Sequence, residues 1–101
     1  MEHDKHDICY YSEHISWVCL AEEVFVFDEI TKKIYILKGI QKEFWLLIDG
    51  KKSIDHLIIE MHNKTCLSVG EIMKSLNAFF QKMNNKKLIN WVMDDEGRNT
   101  N

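Results

Sequence analysis

Two short apolar strands followed by a helix dominate the hydrophobic pattern between Val24 and Gly50. Phe25-Val26-Phe27 and Ile34-Tyr35-Ile36-Leu37 are β-branched and aromatic runs flanking the polar turn Asp28 to Lys32, the signature of a hairpin. The period then changes. Ile40, Phe44, Leu47 and Ile48 recur at three- and four-residue spacing, which predicts a helix that stops at Asp49-Gly50. Upstream, Ile15 to Leu20 reads as another strand, joined through Ala21-Glu22-Glu23 to the run at Val24, so three strands form a meander.

Downstream, Ser53 is a suitable N-cap for a second helix with Ile54, Leu57, Ile58 and Met61 on one stripe, ending near His62-Asn63-Lys64. Ser68 and Glu71 have the spacing of a capping box at the start of a third helix. That helix carries Val69, Ile72, Met73, Leu76, Phe79, Phe80 and Met83, more apolar surface than one core seam needs. Asn84-Asn85-Lys86 closes it, and Leu88 to Val92 is a last extended segment. The order predicts an α+β, winged helix-turn-helix fold: a three-stranded antiparallel N-terminal sheet followed by three helices.

The residues Tyr35, Leu37, Gly39, Trp45, Leu47, Asp49 and Gly50, in the arrangement Y-x-L-x-G-x-x-x-x-x-W-x-L-x-D-G, resemble the PqqD-like family of RiPP recognition elements, which bind precursor peptides. The resemblance continues through Ser53 to Leu57 and a run from Phe79 to Ile89. The chain departs from the family at Lys38, where members carry Asn, and at Gln41 and Lys42, where they carry small residues. The resemblance implies that a precursor's leader peptide is held between the third strand and third helix and presented to a separate maturation enzyme, a radical-SAM enzyme or another. Carried onto this chain, the strand wall is Lys33, Ile34, Tyr35, Ile36 and Leu37, and the helix wall is Met73, Asn77, Phe80 and Gln81. The physical basis is an edge strand whose unpaired main chain accepts a guest as an added strand.

Length fits one domain, residues 14–93, between tails at 1–13 and 94–101. Within the first tail, His3, Asp4 and His6 lack a second anchored ligand set, and Ile8, Tyr10 and Tyr11 could tack the segment to the body. The polar N-terminus and the lack of an apolar run near the roughly 20 residues of a membrane span point to a cytoplasmic chain. Cys9, Cys19 and Cys66 are widely spaced and read as reduced thiols, Cys19 partly buried in its strand.

A net charge of −3 tells against a protein that coats nucleic acid. The alternative reading, a winged-helix DNA-binding regulator, is weakened by a third helix offering only Lys74 and Lys82 as cations. Lys32-Lys33, Lys51-Lys52 and Lys86-Lys87 sit beside turns and read as solvated turn residues. No catalytic constellation emerges. His62 and Cys66 lack an orienting third group, Asp55-His56 suits a helix N-terminus, and the acid pairs Glu22-Glu23 and Asp94-Asp95 lie on a turn and a tail. Gly39, Gly50, Gly70 and Gly97 are isolated, so no phosphate loop is present and no cofactor is implied. Trp17, Trp45 and Trp91 read as core anchors. A meander joined to helices by a short segment could also exchange strands between two chains.

Overall fold

The computed structural model describes residues 7–92. Its elements run β1 (Ile8–Tyr11), β2 (Ile15–Leu20), β3 (Glu23–Asp28), β4 (Ile34–Leu37), α1 (Gly39–Leu47), α2 (Ile54–Lys64), α3 (Val69–Asn85) and β5 (Ile89–Val92). The expected meander is present as an antiparallel sheet ordered β2-β3-β4. With three helices after it, the winged helix-turn-helix reading of the α+β order holds.

Each meander connection is set by local chemistry. Ala21 and Glu22 both take positive φ, 52° and 66°, as the two centre positions of a tight hairpin turn require. Between β3 and β4, the Asp28 carboxylate accepts the N–H groups of Ile30 at 2.9 Å and Thr31 at 3.1 Å, and Lys32 closes the loop at φ 65°. Those bonds matter to stability because the Asp28 side chain is buried. The Thr31 N–H chiefly holds its carboxyl below the ordinary range, with Ile30 and His14 assisting and burial opposing. A depressed folded pKa contributes stability that is present above the unfolded value and lost as pH falls through the folded one. Asp28→Ala is therefore expected to melt below the parent at pH 6, and the gap to close below about pH 4. A gap that persists unchanged at pH 3 would show that the carboxylate's charge contributes nothing to the turn.

The helices start where their caps dictate. Ser53 Oγ accepts the His56 N–H at the head of α2, and Ser68 and Glu71 form the reciprocal capping box at the head of α3. Alternation on β3 sends Val24 and Val26 inward against α1, where they meet Phe44 and Trp45. Phe44 also packs on Phe79 of α3 at 5.5 Å, tying sheet, α1 and α3 into one core with Leu57 and Met61 of α2.

The first segment departs from expectation. Ile8–Tyr11, placed in the frayed tail, instead pairs with β5 in a second, two-stranded antiparallel sheet, with Cys9 opposite Trp91. Ser12 completes the closure: its N–H donates to the Leu88 carbonyl and its hydroxyl to that of Lys87. The Tyr11 hydroxyl donates to the Trp45 carbonyl at 2.6 Å, so Tyr11 tacks this ribbon to α1. His3, Asp4 and His6, and the tail at 94–101, lie outside the described residues.

Cys19 is also corrected. It shares the inward parity of Val24, its partner, yet it is exposed. Cys9 is buried, and burial pushes its thiol up to about 12. Native protein is expected to offer two fast thiols, Cys19 and Cys66, to an aromatic disulfide at pH 8, with Cys9 reacting only on unfolding. Three equally fast thiols would mean that the β1–β5 ribbon opens readily. Of the tryptophans, Trp45 is wholly buried, Trp91 half-buried and Trp17 exposed on β2.

Candidate functional site: a free strand edge beside a helix

Two bonds at the β3–β4 loop fix which backbone groups of β4 are free. The Asp28 N–H donates to the Lys33 carbonyl at 2.9 Å and the Lys32 N–H to the Asp28 carbonyl at 2.8 Å. Asp28 and Lys33 thus face each other as a bonded pair, and bonded pairs alternate along an antiparallel ladder. In the observed register, Val26 with Tyr35 and Val24 with Leu37 are the next bonded pairs. Ile34 and Ile36 therefore turn their N–H and C=O groups away from β3. Nothing in the meander pairs with that side of β4.

The side chains alternate in the same way. Tyr35 and Leu37 point into the molecule, Leu37 fully buried, while Ile34 and Ile36 lie on the outer face at 63 % and 49 % exposed. They continue an apolar outer surface with Phe25, Phe27 and Val18, where a shallow cavity of about 260 Å³ is lined by Ser16, Trp17, Val18, Phe25, Phe27 and Ile34. Lys33 is exposed just ahead of β4, with the inward parity of Tyr35. Of the expected strand wall, Leu37 can contribute only its backbone surroundings, not its side chain.

Strand β2 is the sheet's other edge, but its side chains are exposed almost throughout, so a guest there would lack a second wall. At β4 the end of α3 comes near. Lys86, which caps α3, places its ammonium 4.8 Å from the centroid of the Tyr35 ring, and its N–H donates to the Lys82 carbonyl, continuing the face on which Lys82 lies. On the other flank, Trp91 of β5 packs edge-on against Phe80 at 4.7 Å and donates its indole N–H to Asn84 at 2.9 Å. At 100° per residue, Asn84 and Lys86 are about 160° apart, so the two contacts mark nearly opposite flanks of α3.

That geometry bears on the expected helix wall. Phe80 is buried at 6 % exposure between Phe79 and Trp91 and presents no surface to a groove. Met73, Asn77 and Gln81 are exposed, but Met73 and Asn77 share the Phe80 and Asn84 flank. The flank nearer β4 carries Lys86, Lys82 and Ser75, with buried Phe79 below them. In the sequence Lys86 reads as a solvated turn residue and Lys82 as one of two cations on the third helix. Their spacing of four, with an aromatic on the neighbouring strand, was the available signal.

Two of the candidate groups in the sequence make structural contacts. The His62 Nδ1 lies 3.0 Å from the Leu67 carbonyl, so it carries the proton and braces the α2–α3 connection. His56 Nδ1 lies 3.3 Å from the Ser53 hydroxyl at the α2 cap. Among the described residues, no group of three His, Cys, Asp or Glu side chains is placed to hold a metal ion. Nor is any described helix long and apolar enough to cross a membrane.

No protein-family model matches the chain, and no curated protein does. Among solved structures, the fold is similar to that of TbiB1 in complex with the TbiA(beta) leader peptide. The TM-score is 0.74 at 16% sequence identity, over 79% of this chain and 93% of that one. The chain thus has the fold of a protein whose structure was solved with a leader peptide bound.

Proposed function

We propose that the protein binds the leader segment of a ribosomally made precursor peptide as an added strand on β4, and presents it to a separate modifying enzyme. The observation that carries this reading is the outward main chain of Ile34 and Ile36, two donors and two acceptors beside a helix that supplies a second wall. Similarity to the TbiB1 fold and the PqqD-like residues from Tyr35 to Gly50 support the same assignment. The strand wall is Lys33 to Leu37. On α3 the proposal moves the wall from the Met73 flank to that of Ser75, Lys82 and Lys86.

Peptides selected from a displayed random library on the full chain provide the test. In amide hydrogen exchange, Tyr35 and Leu37 are expected to be slow already in the free protein. Ile34 and Ile36 should exchange fast and slow by about tenfold or more on binding. Bound peptides that leave both amides fast would defeat strand addition at β4.

A further inference from the structure

The lysines of this face are not spread evenly over the chain, which is acidic overall at −3. Lys33 is exposed on the inward side of β4, Lys32 precedes it at the loop, and Lys82 and Lys86 line the facing flank of α3. Of the carboxylates on these elements, Glu29 accepts the Ser16 hydroxyl at 3.4 Å. Glu23 pairs with Lys38 at 3.5 Å, Glu71 is held by Ser68 in the capping box, and Asp28 is turned into its own loop. Lys32, Lys33 and Lys82 have no ion-pair partner among the described residues. A strand added to β4 alternates its side chains as β4 does. One set continues the apolar row of Ile34 and Ile36 on the outer face, and the other turns to the inward side, that of Lys33 and of the Lys86 ammonium over Tyr35.

Resting on the strand-addition reading, we infer that the guest is an acidic peptide of alternating pattern: apolar side chains on its outward positions, and at least one Asp or Glu on an inward position at the Lys33 end. The same charges discourage a second copy of this chain from pairing edge to edge. In an antiparallel pairing centred on Tyr35, Lys32 would meet Lys38 of the other chain.

The experiment sequences the library peptides selected on the full chain and measures their binding by fluorescence anisotropy at 50 mM and 500 mM salt. Acidic residues are expected to be enriched at alternate positions within apolar runs, with affinity falling at the higher salt. Lys33→Glu with Lys82→Glu is expected to weaken the acidic peptides by about tenfold, from exposed pairs worth a few-fold each. The doubly reversed variant should prefer lysine-substituted versions of the same peptides. Peptides that protect the Ile34 and Ile36 amides yet show no acidic enrichment, or bind the reversed variant equally well, overturn this inference and leave strand addition standing. Peptides that protect neither amide overturn both.

Discussion

Ile36→Pro is expected to weaken guest binding strongly while the domain stays folded. The Ile36 N–H points away from β3, so proline removes no bond of the existing ladder, and an edge strand tolerates proline where its N–H faces outward. It does remove one of two donors a guest needs, and its ring occupies the approach of the added chain. The expected loss of affinity is roughly 10- to 100-fold, with a thermal midpoint close to the parent's. Tyr35→Pro is the control. One position earlier, the N–H is bonded to the Val26 carbonyl in the centre of the β3–β4 ladder, and proline there is expected to unfold the sheet. Equal effects of the two substitutions on folding, or binding retained by Ile36→Pro, would mean that the ladder alternation assigned to β4 is wrong.

That pair of variants depends on features the sequence shows plainly. The Asp28 to Lys32 turn, the alternation through Phe25 to Phe27 and Ile34 to Leu37, and the Ser68–Glu71 box are local, and each is found where its chemistry predicts. Local patterns say nothing about partners far along the chain. β1 is only four residues long and its partner β5 lies some 80 residues later, so Ile8–Tyr11 looked like a loose end. The same blind spot hides the burial of Phe80. The apolar stripe of α3 shows which residues are greasy, but Phe80 is buried because Trp91 arrives on a strand that pairs with the N-terminal segment. Trp91 covers Phe80 on that flank, and the opposite flank of α3 reaches Tyr35 through Lys86. The proposed site thus combines a strand edge readable from the sequence with a helix flank that depends on long-range pairing.

Trp45→Ala is expected to have the largest effect on stability. Trp45 is fully buried, its ring centroid 4.7 Å from that of Tyr11 and 6.2 Å from that of Trp17, where α1, the β1–β5 ribbon and the meander meet. Removing so large a buried side chain costs about 3–5 kcal/mol. A domain of this size has roughly 5–15 kcal/mol in total, so the variant should be largely unfolded or close to it. Trp45→Phe separates packing from polarity. The indole Nε1–H is buried without a hydrogen-bond acceptor among the described residues, a desolvation penalty of about 1–3 kcal/mol that phenylalanine removes. Loss of ring volume is then offset in part, and Trp45→Phe is expected to fall within about 1.5 kcal/mol of the parent. Denaturant titrations followed by circular dichroism measure both. A cost below about 1.5 kcal/mol for Trp45→Ala would show that the ribbon, α1 and the meander are not held together at this residue. A Trp45→Phe loss as large as that of alanine would show instead that the indole N–H is bonded in solution, and that the aromatic junction behind the strand edge is polar as well as packed.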